Sequence, residues 1–344
     1  MITITLSVPN AETYSLPYTK FTLIDELNSY SSLWITIDFE ELKKRIGTED
    51  IDDILTSGKR EIIVSEDGDA MFTGQLTDID LNNVSGVISL VLSATDYYGV
   101  LRRRLIGIPE TIYRDIDAGL IAWGCINETQ QSDLPYSDLG ITQGSIDPSK
   151  NRDKQYQFRF VDDAIVTISN FNLYDGFDFE VDEDKKFNVF YPRKGSQREE
   201  LTITPNFVAN WNINKVLPRD LTNRVVVKGE SSLWVQRESS IAVRNAYGVQ
   251  DELLSAYQIK EMDTLIDKGD KYLRNNETPL DTLTVNLLPV WNYNEFSVGD
   301  SFRIDVEHLG LDYEWYRLYR SKLTYNNTET QQFSLQFTQE QLKP

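Results

Sequence analysis

The amino-acid sequence predicts a mainly β protein with α+β inserts, organised as two related small β-barrel domains plus two peripheral α+β domains. Three observations carry this expectation. Aromatic residues make up 11% of the 344 positions, with 18 Tyr and 15 Phe, and large rings pack best on pleated, half-buried surfaces. Apolar residues alternate with period two in many short runs, while helical periodicity is confined to a few windows. The succession of strand and turn over residues 58–94 returns in the same order over 296–337, which two copies of one unit explain economically. A chain of 344 residues also exceeds what one core serves, so roughly two to four domains are expected.

The first barrel is expected over residues 1–105. Ile2, Ile4, Leu6 and Val8 line one face of a strand, and no basic stretch precedes an apolar one there, so the segment reads as a strand rather than a signal peptide. Phe21, Leu23 and Ile24 continue the apolar set, and residues 33–39 form a further strand. Thr48, with acidic residues behind it, marks the N-cap of a short helix. Residues 61–64 are apolar and β-branched, Asp67-Gly68 is able to take positive φ, and 71–79 supplies the return strand of a hairpin. A strand over 86–94 follows. With strands in this number and few helices, closure into a barrel removes exposed edges.

Residues 106–201 read as a peripheral α+β domain. Its loop-rich part runs from Gln130 to Arg152; apolar residues at 164, 165, 168 and 171 then give a helix capped by aspartate, and 175–191 gives a hairpin around a charged turn. The second barrel is expected over 202–238 and 277–344, with 225–227 as a strand buried on both faces. Residues 239–276 form an insert in which 251–254, Ile259, Met262, Leu265 and Ile266 suggest a helix of several turns. Strands over 280–287, 302–306, 315–325 and 332–337 complete the second unit.

The net charge of -20, from 34 basic and 54 acidic residues, argues against a nucleic-acid-binding surface over the whole protein, because phosphate contacts need clustered Lys and Arg. It favours solubility, or a surface that a polyanion slides past. The dense basic run Arg102-Arg103-Arg104 is expected to form ion pairs within or between subunits. Cys125, the single cysteine, cannot form an internal disulfide and acts as a small apolar filler. No apolar run is long enough to span a membrane.

No catalytic, cofactor-binding or metal-ligating residue is expected. The single histidine, His308, lacks a local nucleophile or acid, and no Cys/His cluster, nucleophile elbow, phosphate-cradling loop or dinucleotide fingerprint occurs. Carboxylates at strand spacing, Asp115 with Asp117 and Asp178 with Glu180, keep a two-carboxylate glycosidase formally open; a solvated strand face is the simpler account. Glu66-Asp67-Gly68-Asp69 and Asp182-Glu183-Asp184 cluster oxygens that calcium would accept, but as charged turns they match no EF-hand loop.

The tract Gly58 through Ile63, then Phe72-Thr73-Gly74-Gln75-Leu76, then Ile88 through Leu92, closing on Asp96-Tyr97-Tyr98-Gly99-Val100-Leu101-Arg102-Arg103, resembles the first barrel of the tail hub proteins of tailed bacteriophages. That family is shared with the spike hubs of contractile injection and type VI secretion systems. Leu221-Thr222-Asn223-Arg224-Val225-Val226-Val227-Lys228-Gly229 is similar to the tract that opens the family's second barrel. Val298-Gly299-Asp300-Ser301-Phe302-Arg303-Ile304 with Tyr316-Arg317-Leu318 is similar to its continuation.

The resemblance covers essentially the whole chain and implies a non-enzymatic structural protein of the virion tail tip or baseplate, made in the host cytoplasm. It implies a homotrimeric ring of six barrels with pseudo-sixfold symmetry. The partners it implies are a distal tail protein or tail tube ring, a tip, fibre or central plug protein, and the tape-measure protein. DNA passes through without specific binding, and no cofactor or stable membrane insertion is implied. With the last strand close to Pro344, any lytic activity is expected on a partner. The competing readings are a carbohydrate-binding or carbohydrate-degrading tail protein, using exposed aromatics such as Trp234 or Trp291, and the hub of a contractile system.

Overall fold

The computed structural model describes residues 2–7, 13–46, 60–84, 86–131, 137–170, 175–214, 221–257, 259–277, 282–289, 293–306, 311–326 and 331–339. The first strand set comprises β1 (Ile2–Ser7), β2 (Thr13–Ser15), β3 (Lys20–Glu26), β4 (Ser32–Asp38), β5 (Glu61–Glu66), β6 (Asp69–Val84) and β7 (Val87–Asp96). Alternation sets the buried face. Ile2, Ile4 and Leu6 on β1, Phe21 and Leu23 on β3, and Leu33, Ile35 and Ile37 on β4 point into one core. The expected hairpin is present: Glu61 to Val64 pair with Gln75 to Phe72, and the turn sets Asp67 at φ 52 and Gly68 at φ 99. Positive φ at both central residues matches the right-handed strand twist.

The helix in this set is α1 (Phe39–Ile46). The Asp38 carboxylate accepts from the backbone N–H of Glu40 at 2.9 Å and of Glu41 at 3.1 Å, and Lys43, Lys44 and Arg45 lie in the last turn. The helix expected from Thr48 onward lies outside the described residues.

A second core forms around α2 (Tyr97–Leu101), β8 (Leu105–Ile106), β9 (Thr111–Asp117), α3 (Ala118–Gln130), β10 (Thr142–Ile146), β11 (Asn151–Tyr156), β12 (Arg159–Phe160), α4 (Val161–Ser169), β13 (Asp178–Val181) and β14 (Lys186–Phe190). The hairpin over 175–191 and the helix near 161–169 are as expected. The cap of α4 is not: its N-cap position is Phe160 with no side-chain bond, and Asp162 and Asp163 sit inside the first turn, where they favour the helix dipole. Helix α3 is unassigned in the sequence reading. Its buried residues Ala118, Ile121, Ala122, Cys125 and Ile126 do follow helical spacing, but Gly119 and Gly124 dilute the signal.

The remaining elements are β15 (Gln197–Ile203), β16 (Val208–Asn214), β17 (Arg224–Lys228), β18 (Trp234–Glu238), α5 (Ile241–Tyr247), β19 (Asp251–Ser255), α6 (Met262–Asn276), β20 (Thr282–Leu287), β21 (Ser301–Val306), β22 (Leu311–Asn326) and β23 (Gln331–Gln339). Two expectations are corrected here. Residues 225–227 do not join the second barrel: β17 pairs antiparallel with β18 and parallel with β19. Val225 and Val227 pack with Leu265 and Leu273 of α6 in a third, small core. Residues 251–254 are strand, not helix, because the crossover through α5 brings them alongside β17 in parallel register.

The other strands form one large sheet in the order β16-β20-β23-β22-β3-β4-β7-β6-β5-β1-β2, with β21 on β22 and β15 on β21. Barrel closure is not seen in the pairing of the described residues. The two strand sets expected as closed or nearly closed barrels are spliced into one sheet, because β22 pairs with β21 along Leu311 to Arg317 and with β3 along Arg320 to Asn326.

Within that sheet the two sets share one plan. The order β3-β4-β7-β6-β5-β1 is matched by β16-β20-β23-β22-β21-β15. The long strands β6 and β22 are each 16 residues. Their pairing with β7 and β23 shifts between Leu76 and Asp78 in one and between Leu318 and Arg320 in the other, the same place along each strand. The copies differ at one edge: β1 is antiparallel to β5, whereas β15 is parallel to β21.

Candidate assembly site

The carboxylate pairs singled out in the sequence serve structure. Asp117 caps α3, accepting from Gly119 N at 2.8 Å and Leu120 N at 3.2 Å, and also holds the N–H of Ser149 at 2.6 Å. Asp115 sits in the left-handed region at φ 51 and accepts from the Asn151 side-chain amide at 3.0 Å. Asp182 closes its turn by accepting from Asp184 N at 3.1 Å and Lys186 N at 2.8 Å. Among the described residues no group of three His, Cys, Asp or Glu side chains is arranged to hold a metal. His308 and Trp291 lie outside the described residues; Trp234 is exposed on β18.

Cys125 is buried, and burial pushes its thiol up to about 12, so it is held as the protonated form. Arg102 is paired within the chain, 3.5 Å from Asp162 and stacked over Tyr30 with the guanidinium 4.9 Å from the ring centre. A cleft of about 940 Å3 between α6 and the second core is crossed by the ion pair of Lys271 with Asp175, which ties the two units together; on its near wall Arg237 of β18 pairs with Asp270 of α6 at 2.6 Å.

The polar centre of the molecule is Asp178. It is fully buried, and it pairs with the guanidinium of Arg317 on β22. It also accepts from the Asn28 side-chain amide at 2.7 Å, just beyond β3, and from Lys194 N at 2.7 Å. Arg317 donates in addition to the carbonyls of Gly299 at 3.0 Å and Lys194 at 2.8 Å. One carboxylate thus joins both strand sets to the second core, its charge and lone pairs satisfied. Glu180, which the sequence sets on a face with Asp178, pairs instead with Lys194. Asp300 supports the same corner, accepting from Ser196 N at 2.8 Å and pairing with Arg198 at 3.2 Å.

The second joint is the seam between β3 and β22. Leu23 lies opposite Leu323 and Phe21 opposite Tyr325. Both leucines are buried, and the Phe21 and Tyr325 rings stack at 5.6 Å. Thr22 and Thr324 oppose each other with hydroxyls 3.3 Å apart. At its end Arg320 lies 3.7 Å from Glu26. The arrangement has the parts of a subunit contact, a paired backbone with an apolar centre and a charged rim, and it brings together residues some 300 positions apart.

Solved structures share this fold. The 43 kDa tail protein of prophage MuSo2 from Shewanella oneidensis superposes with a TM-score of 0.70 at 11% identity, covering 97% of this chain and 97% of that one. This is a phage tail-protein fold. The tail protein of Neisseria meningitidis MC58 has it too, with a TM-score of 0.68 at 12% identity, covering 98% of this chain and 97% of its own. The tail-protein fold extends to a type VI secretion component, the Escherichia coli c3393 protein, described as structurally similar to the T4 tail proteins gp27 and gp5. It matches with a TM-score of 0.55 at 11% identity, over 98% of this chain and 77% of its own. No family model and no curated protein sequence matches the chain. The likeness to these tail proteins therefore lives in the fold.

Proposed function

We propose that this chain is a structural, non-enzymatic hub of a phage tail tip or baseplate. Three copies form a ring with pseudo-sixfold symmetry that joins the tail tube to the tip and encloses the channel for the tape-measure protein and DNA. The observation that carries the reading is the internal duplication: two strand sets of one order and one register in each chain, so that three chains supply six equivalent units to a sixfold neighbour. The tail-protein fold over almost the whole chain supports it. The net charge of -20 suits a bore through which a polyanion moves without adhering.

Mass photometry of the purified chain and projection images of the assembled tail test this. Three copies and a ring with six density lobes are expected. A stable monomer that cleaves polysaccharide overturns the reading. The charge component is tested separately: a neutral or basic potential along the bore of the assembled ring removes it.

A further inference from the structure

Residues 105–117 and 151–160 run antiparallel as a two-stranded ribbon along the second core. β9 pairs with β11 from Thr111 opposite Tyr156 to Asp117 opposite Asn151, and β8 pairs with β12, Ile106 opposite Arg159 and Leu105 opposite Phe160. Between the two ladders residues 107–110 face residues 157–158, so one strand bulges. Gly107 permits this: it sits at φ 75, so close to the opposite strand that a Cβ would lie 2.3 Å from the Tyr156 carbonyl oxygen.

The ribbon has two unlike faces. Ile106, Tyr113 and Tyr156 pack on the second core. Leu105 and Ile112 alternate with them and face away. With Phe160 beside Leu105, and Ile108 and Phe158 in the bulge, they make a set of five exposed apolar side chains, of which Phe158 is 67% exposed. Phe158 is also held at φ 52, a conformation that bulky residues seldom take. Apolar residues gathered in this way mark an interaction surface, unlike those scattered singly.

The same ribbon is basic in an acidic protein. Residues 102–117 and 150–160 hold eight Arg and Lys against four Asp and Glu, whereas the whole chain has 34 against 54. Arg102 and Arg159 pair with Asp162 and Asp163. Among the described residues Arg103, Arg104 and Arg114 have no carboxylate partner. The basic run of the sequence is therefore paired only at its first member.

We propose that this ribbon is a peripheral anchor for an anionic lipid surface: its exposed Leu, Ile and Phe side chains enter the acyl boundary, and Arg103, Arg104 and Arg114 meet the lipid phosphates. Shape selects lipid over a segment of another protein. A docked helix needs a groove and an added strand needs a free edge, but these side chains stand out from the face and both edges are blunted. β11 carries Arg152, Asp153 and Lys154 in succession, and β9 is broken by the register shift at Asp115. The acidity of the rest of the chain is screened beyond about 8 Å at physiological salt. So small an apolar set holds a surface reversibly and does not span a membrane. The anchor requires no particular number of copies, so its failure leaves the hub reading untouched.

Flotation of the purified full chain tests this, with vesicles of phosphatidylcholine and phosphatidylglycerol in equal parts and with phosphatidylcholine alone. The chain is expected to float with the anionic vesicles only, and to be released by about 0.5 M salt. Phe158→Ser with Phe160→Ser, and Arg103→Glu with Arg114→Glu, are each expected to weaken binding about tenfold or more. All four positions are exposed, so both variants are expected to unfold at the parent midpoint. Trp234→Ser, which removes an exposed ring from β18, is expected to leave binding unchanged. A polarity-sensitive dye on Gln157→Cys, the native thiol Cys125 being buried, is expected to shift to the blue on anionic vesicles.

No flotation with the anionic vesicles overturns the anchor, as does flotation that both double variants leave intact. Flotation without a dye shift shows adsorption by charge alone and overturns the apolar contact. If the parent ignores vesicles and Phe158→Ser with Phe160→Ser blocks assembly of the chain into tails, the ribbon is a protein contact and the lipid reading falls.

Discussion

The two strand sets have one backbone plan and different fates along their long strands. β22 is covered from end to end, by β21 on its first half and β3 on its second; among the described residues β6 is covered by β5 on its first half only. Leu323 and Leu81 occupy equivalent positions, yet one is buried and the other is largely exposed. Arg317 and Gln75 are likewise equivalent, and only Arg317 reaches the buried carboxylate of Asp178. A strand pattern therefore defines a surface without saying whether its own chain or another covers it.

The largest effect is expected at the joint that only the second set makes. Asp178→Ala leaves the Arg317 guanidinium, with 11% of its side chain exposed, without its carboxylate; loss of one partner of a buried pair costs about 3–5 kcal/mol. Urea denaturation of the dilute chain measures it, and a loss below about 1 kcal/mol, the range of a surface pair, would show that the pair is dispensable.

Next comes the matched truncation. Leu323→Ala is expected to cost about 2–5 kcal/mol as a core deletion, whereas Leu81→Ala in the same assay stays within about 0.5 kcal/mol. Equal costs would erase the distinction between a covered and an open seam. A smaller effect is expected in the hairpin of the first set. Gly68→Ala forces a side chain into φ 99 at a cost of about 1–2 kcal/mol.

The finest contrast is in pH dependence. Asp96 at the end of β7 is buried, and burial, reinforced by the charge of Asp25, raises its carboxyl from 3.8 to about 7 against the N–H bonds of Ser31 and Gly99. Its counterpart in the second set is Gln339, which does not titrate. A raised carboxyl means that the folded chain holds a proton the unfolded chain has released. The contribution of Asp96 is thus full below pH 3.8 and is lost as pH rises to about 7. The unfolding midpoint is expected to fall between pH 5 and pH 8, by less in Asp96→Asn. Identical slopes in the two chains would show that Asp96 is ionised throughout.

Much of the fold is legible in the sequence because it rests on local rules. The alternation in Ile2, Ile4 and Leu6, the Asp67-Gly68 turn, the hairpin around Asp182 and the apolar spacing of Ala164, Ile165 and Ile168 each specify an element from its own residues. So does the duplication, since β21 to β23 repeat the order of β5 to β7. Helix α3 was obscured by Gly119 and Gly124, and the end of α4 by aspartates that sit inside the turn rather than at its cap.

The candidate site was far less legible. Asp178 shows in the sequence only as an acidic residue two positions from Glu180, and nothing nearby announces that Asn28 and Arg317 will converge on it. The sequence by itself determined the strands of the repeated units, β4 to β7 and β20 to β23, which face of them is apolar, and that one unit occurs twice; the strand at 251–254 escaped it. Only the tertiary structure decided which strand lies beside which: that 224–228 leaves the large sheet for β18 and β19, and that β3 finds β22. The physical reason is that side-chain periodicity encodes a buried face, whereas strand partners are joined through backbone N–H and C=O groups that every residue carries.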